Sequence, residues 1–276
     1  MDQVTCNDKD MPTILVSPSV TRTEPTHRGA VLVAGSHGGL ISAYLAAAAG
    51  VHAVILSDAG VGLDKAGIAG LGLLDGIAMA AATVDAWSAR IGDGADMLAR
   101  GIISHANHYA ETAGVRKGMT ALEAAMSLRR AGVPHSSPPV IGETVHLLHR
   151  ASGCRTVWGI DSASLAASDH DDAVLITGSH GGLLGGCPEQ ALHCNARAAV
   201  FNDAGIGIDA AGFGRLSALD ARRLAAATVD VMTARIGDAR STWETGIISR
   251  VNRTAEQIGA HKGMTTREFV ELFLAY

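Results

Sequence analysis

Aromatic side chains make up only 4% of this 276-residue chain, and it has just four cysteines. Cys6, Cys154, Cys187 and Cys194 are scattered and form no C-x-x-C pair, which argues against a disulfide framework and against a structural zinc site. There is no basic excess either: 22 Lys and Arg face 27 Asp and Glu, for a net charge of -5. A surface of that sign does not draw in nucleic acid or an anionic membrane. Charges or turn residues interrupt every apolar run before it reaches the length of a membrane span. The first ten residues, Met-Asp-Gln-Val-Thr-Cys-Asn-Asp-Lys-Asp, lack the basic and apolar regions of a signal peptide. The expectation is a cytoplasmic protein whose partner is a small-molecule substrate, with neither nucleic acid nor membrane involved.

What the chain does have is a core's worth of aliphatic residues, 47% hydrophobic in all, and 33 glycines. That suits small-residue helices packed on sheets through tight turns. It also has a repeat. Val31-Leu-Val-Ala-Gly-Ser-His-Gly-Gly-Leu40 returns as Val174-Leu-Ile-Thr-Gly-Ser-His-Gly-Gly-Leu183, and Asp58-Ala-Gly-Val-Gly-Leu-Asp64 returns as Asp203-Ala-Gly-Ile-Gly-Ile-Asp209. Further pairs follow, among them Ala80-Ala-Ala-Thr-Val-Asp85 with Ala225-Ala-Ala-Thr-Val-Asp230 and Ala89-Arg-Ile-Gly-Asp93 with Ala234-Arg-Ile-Gly-Asp238. The spacing between copies is 143 (156 − 13) up to the glycine turn and 145 (203 − 58) after it, so the second copy gains two residues near Gly185–Cys187.

Apolar runs of strand length alternate with helical patterns in each copy. The expected fold is therefore α/β and internally duplicated: two Rossmann-like βαβ lobes with mainly parallel sheets, related by a pseudo-twofold. Residues 1–130 and 153–276 would be the lobes. Residues 131–152 would be a linker carrying Pro134, Pro138-Pro139 and a helix over Glu143–Arg150. In each lobe a helix would follow the glycine turn, and a long helix would span Ala95–Ala113. Thr120-Ala-Leu-Glu123 reads as a capping box. Alanine-rich helices could also build a homo-oligomer interface.

In an open parallel sheet, ligands bind beyond the carboxyl ends of the strands. That edge gathers Ser19, Ser36, His37, Gly38, Gly39, Asp58, Asp85 and Arg90 in the first copy. In the second it gathers Ser162, Ser179, His180, Gly181, Gly182, Asp203, Asp230 and Arg235. His37 and His180 are the leading candidates, as general bases that titrate near neutrality. Asp58 and Asp203 would orient them, and Ser19 and Ser162 would supply a nucleophilic or binding hydroxyl. The amides of Gly38, Gly39, Gly181 and Gly182 would hold an anion or oxyanion, with Ser36 and Ser179 as helix caps beside it. Arg90 and Arg235 would clamp a carboxylate, with an ion pair to Asp93 or Asp238 as the structural alternative. His27 and His170 lie at the other strand end and read as structural. His105 and His108 read as surface residues, and Cys187, His193 and Cys194 have no counterparts in the first copy.

The function expected from this set is hydrolase-type, amidohydrolase-like chemistry on a small polar, carboxylate-bearing molecule, such as cleavage of a C–N bond, without a cofactor. Two alternatives stand beside it. One is a metal-dependent hydrolase or lyase, with a divalent ion at His37/Asp58 or His180/Asp203 activating water. The other is a non-catalytic anion- or nucleotide-binding protein. There is no Gly-x-Ser-x-Gly elbow, and the dinucleotide fingerprint is only half present as Gly35-x-x-Gly38-Gly39.

Overall fold

The computed structural model describes residues 11–150 and 155–274. The chain is α/β, with two mixed sheets of mostly parallel strands. The first sheet is built from β1 (Ile14–Ser17), β2 (Val31–His37), β3 (Ala53–Ser57), β4 (Ala81–Val84) and β5 (Ile103–Ala106), in that spatial order. β1 to β4 are parallel and β5 runs antiparallel to β4. The second sheet is built from β6 (Val145–Arg150), β7 (Thr156–Ile160), β8 (Val174–His180), β9 (Ala198–Asn202), β10 (Ala225–Val229) and β11 (Ile248–Val251). Its four central strands are parallel, and β6 and β11 are antiparallel edges.

Because alternate side chains point to opposite faces, β2 and β3 are divided between two cores. Val31, Val33, Ala53 and Ile55 pack with Met97 of α3 (Gly94–Arg100) and with Ala121, Ala124 and Leu128 of α5 (Ala121–Leu128). Leu32, Ala34, Val54 and Leu56 pack with Ala43 and Ala46 of α1 (Leu40–Ala48) and Leu74 of α2 (Gly70–Asp75). Burial on both faces explains why these strands read as unbroken apolar runs. The second sheet is covered likewise: Val174, Ile176 and Val200 meet Phe269 and Phe273 of the helix Thr266–Leu274, while Leu175, Ala199 and Phe201 meet Leu216 and Leu219 of α6 (Gly214–Ala221).

Several expected elements differ. The long helix over Ala95–Ala113 is three elements, because Gly101 caps α3 and the β-branched Ile102-Ile103 pair then starts β5 against β4. Asn107 opens the short α4 (His108–Thr112) by accepting the Ala110 N–H, so His105 lies on a strand. The expected linker helix Glu143–Arg150 is instead the edge strand β6 over Val145–Arg150, antiparallel to β7 with a register shift between Leu147 and His149. The second glycine turn is followed by two short 3₁₀ turns, Leu184–Gly186 and Pro188–Gln190, where the first copy has α1. The two inserted residues fall in that stretch. The capping box at Thr120 and Glu123 forms as expected.

The halves meet along a seam of glycine-rich loops. Leu63 N–H donates to Val231 O and Ile208 N–H to Ala86 O, each at 2.9 Å. A Cβ on Gly60 would stand 2.9 Å from the Gly205 Cα, and the converse distance is the same. Ala59, Ile91, Ala204 and Ile236 form a small shared core at the seam. Arg100 pairs with Asp209 at 2.7 Å and Arg235 with Asp64 at 3.0 Å across it. These exposed pairs contribute at most about 1 kcal/mol each, so apolar and backbone contacts dominate. Val61 and Ile206 sit at φ 64° and 68°, a left-handed conformation that β-branched residues adopt only where surrounding structure enforces it.

Gly92 (φ 86°) belongs to the same seam: a Cβ there would lie 2.3 Å from the Leu183 carbonyl oxygen of the other half. Gly114 (φ 101°) has comparable backbone strain but open space around it. Gly114→Ala should therefore cost about 1 kcal/mol, the left-handed penalty alone. Gly92→Ala should cost at least about twice that, because a backbone carbonyl must also move. Urea unfolding midpoints of the two variants check this difference.

Candidate active site

Both histidines line one cavity of about 450 Å³ between the halves. It opens beyond the carboxyl ends of β1, β2, β7 and β8. Ser19, Ser36 and His37 come from the first half, and Asp161, Ser162, Ser179 and His180 from the second. Ile41, Ser42 and Leu45 of α1 form one wall. Where the second half lacks the matching helix, Leu184, Gln190, Leu192 and His193 form the other. The site is therefore composite, a single cavity rather than two.

A bulge aims each histidine. Val33 pairs with Ile55 and His37 with Ser57, so four steps along β2 match two along β3. β8 repeats this, with Ile176 on Val200 and His180 on Asn202. Bulges of this kind redirect a side chain at a sheet end. Glycine at 35 is required there: a Cβ would lie 2.4 Å from the Gly92 carbonyl carbon. The rings then cross the seam. A Cβ on Gly237 would be 3.2 Å from His37 Cε1, and one on Gly92 would be 3.4 Å from His180 Cε1.

The ring nitrogens have distinct roles. Gly39 N–H donates to His37 Nδ1 at 3.1 Å, and Gly182 N–H to His180 Nδ1 at 3.2 Å. An acceptor Nδ1 carries no proton, so the neutral ring carries it on Nε2. Neither Nε2 has a protein partner among the described residues, and neither is among the occluded unpartnered atoms. Burial lowers the His37 pKa to about 4. His180 is also pushed well below its usual value, by burial and then by the nearby Arg215 and His37. At neutral pH both rings are neutral and present N–H donors to the cavity. In this tautomer Nε2 donates, and a general-base role at that atom would need the other tautomer.

The glycine amides are also engaged within the protein. Gly38 N–H donates to Ser57 O and Gly181 N–H to Asn202 O, each at 2.7 Å, and Gly39 and Gly182 serve the histidines. They position the donors instead of contacting a ligand. Asp58 Oδ1 accepts from Gly60 and Ala86 N–H, and Asp203 Oδ1 from Gly205 and Val231 N–H. Burial raises the pKa of both carboxyls. They brace the seam loops and do not line the cavity. Asp85 and Asp230 cap their own turns through the N–H of Trp87 and Met232. Arg90 pairs with Asp96 at 2.8 Å and Arg235 with Asp64 and Asp238, so neither clamps a ligand in the cavity. Among the described residues no three His, Cys, Asp or Glu side chains converge on a metal position.

Ser19 and Ser36 hydroxyls bond to each other at 3.2 Å, and Ser36 Oγ also accepts the Val20 N–H. Ser162 bonds to Ser164 at 2.7 Å, and the Glu143 carboxyl stands near it in the cavity. Glu143 lines the cavity half-buried, its pKa raised by burial and by Asp161. It stands just before β6, inside the expected linker. Arg215 lines the cavity too, 4% exposed, with its pKa brought down to about 10 by burial and its charge retained at neutral pH. Neither residue is repeated: position 70, the counterpart of 215, is glycine. Departure from the repeat beside conserved strand ends was the signal for Arg215.

Comparison with known families, curated proteins and solved structures returned no match.

His37 gives the site a pH signature. Between pH 6.5, its value when unfolded, and pH about 4, the unfolded chain binds a proton that the folded one does not. Stability is thus complete above that window and declines through it as pH falls, by on the order of 3 kcal/mol. Denaturant midpoints at pH 7 and 4.5 should show His37→Gln with a shallower pH dependence than the parent.

Proposed function

We propose that the chain is a hydrolase-type enzyme that cleaves a C–N bond of a small polar molecule held between its halves. The observation that carries this reading is the pairing of two neutral, tautomer-fixed histidines in one cavity. Two Nε2–H donors in a low-dielectric site suit an oxygen that gains negative charge in the transition state. Glu143, whose carboxyl is less acidic than usual and which lines the cavity beside Ser162, supplies the acid–base function. In this scheme Glu143 takes the Ser162 proton as the serine oxygen attacks the substrate's amide carbon. The carbonyl oxygen becomes an oxyanion bonded by His37 and His180. As the C–N bond breaks, Glu143 returns the proton to the departing nitrogen, and water hydrolyses the acyl-serine by the reverse sequence.

The repeat and the reciprocal seam also lead us to infer that the halves arose by duplication and are related by a pseudo-twofold. Among the described residues no helix is long and apolar enough to cross a membrane. A non-catalytic anion-binding protein would use the same donors. The raised pKa of Glu143 is what favours turnover.

The test is a screen of the full chain against small amides, followed by variants. His37→Ala and His180→Ala should each lower kcat about 10²-fold or more, as loss of an oxyanion donor does. His37→Gln, which keeps an N–H donor, should retain more activity than His37→Ala. Glu143→Gln should lower kcat about 10²–10⁴-fold. A folded double histidine-to-alanine variant that turns substrate over at the parent rate would sink the assignment.

A further inference from the structure

Of the charged residues lining the cavity, only Arg215 is buried. All its acceptors are neutral. Its Nε donates to the carbonyl oxygens of His180 and Gly182, each at 3.1 Å, and its Nη1 donates to those of Gln190 (3.3 Å) and Ala191. The Phe201 ring lies 5.2 Å below its carbon. This cradle holds the guanidinium rigidly but gives it no counter-ion. Nη2 has no acceptor among the described residues, and it is not an occluded unpartnered atom. A buried cation is costly unless an anion meets it. The two cavity acids do not do so. Both Asp161 oxygens accept bonds elsewhere, from Ala239 N–H and from Thr144, and no carboxylate is among the Arg215 partners. Arg22, the other cavity arginine, is exposed and bonds to Gln190.

We propose that Arg215 seats a carboxylate of the substrate through Nη2, while Glu143 in the same cavity receives an N–H. The ligand is then a small carboxylic acid bearing an amide or amino nitrogen. This supplies the cation that Arg90 and Arg235 do not provide, and it rests on reading the cavity as a substrate site. A rigid guanidinium whose Nη2 carries two free N–H donors suits a carboxylate, and the two imidazole donors are left to the amide oxygen.

The test uses the full chain with acetate, acetamide, inorganic phosphate and N-acetylglycine as probes, read by melting temperature and by histidine ring NMR signals. Acetate should bind saturably and shift the His180 signals, whereas the uncharged isostere acetamide should not. N-acetylglycine should bind about tenfold more tightly than acetate, and Glu143→Leu should remove that advantage. Arg215→Gln should weaken acetate binding about tenfold or more. Arg215 also braces four carbonyls, so the acetate–acetamide contrast on the parent protein decides by itself if that variant fails to fold. Equal effects of acetate and acetamide, binding of phosphate without acetate, or unchanged acetate affinity in folded Arg215→Gln each overturn the seat. Acetate binding without turnover of any amide would instead overturn the hydrolase reading and leave the seat standing. Amide turnover at the parent rate by folded Arg215→Gln would do the reverse.

Discussion

Two glycine-rich loops cross backbone to backbone between the halves, and the position of nearly everything chemical depends on that crossing. Gly60 and Gly205 approach so closely that neither tolerates a side chain, and Leu63 and Ile208 each donate to a carbonyl of the opposite half. The loops leading into the crossing hold Val61 and Ile206 in left-handed conformations, each at a cost of about 1–3 kcal/mol. Asp58 and Asp203 stabilise those loops from within by accepting two backbone N–H groups each. Once the halves are registered in this way, each histidine ring rests against a glycine of the other half. Neither half alone contains the site.

The chemistry of the rings is set by hydrogen bonds only two residues long. With Gly39 and Gly182 donating to Nδ1, the imidazoles cannot switch tautomer without leaving an amide unpaired in a buried place. Burial then removes the charged form from the neutral range. The same two effects explain why the glycine pair is needed after each histidine: the first glycine of each pair closes onto the next strand and the second positions the ring.

Much of this was legible in the sequence, and for an identifiable reason. Strand ends are marked by where an apolar run stops, which puts Ser19, Ser36, His37 and their partners at strand ends, and in the structure they line one cavity. Asp58 and Asp85 also sit at strand ends, but whether a carboxylate turns toward a ligand or toward its own loop depends on the path of the next few residues. That path was set by left-handed valine and isoleucine, which no pattern announces. The bulges were hidden because Gly35-Ser36 reads equally as a turn. Glu143 lay in a stretch, Glu143–Arg150, that reads as a linker helix, whereas Val145–Arg150 forms the edge strand β6. Arg215 carries no repeat signal, because the matching position in the first copy is Gly70.

That difference has a geometric consequence. Two matched histidine turns by themselves would present the same donors to either end of a molecule lying between them, a degeneracy in orientation. A fixed guanidinium on the side of α6, where the other copy has only Gly70, removes the degeneracy. The cavity acquires a head and a tail.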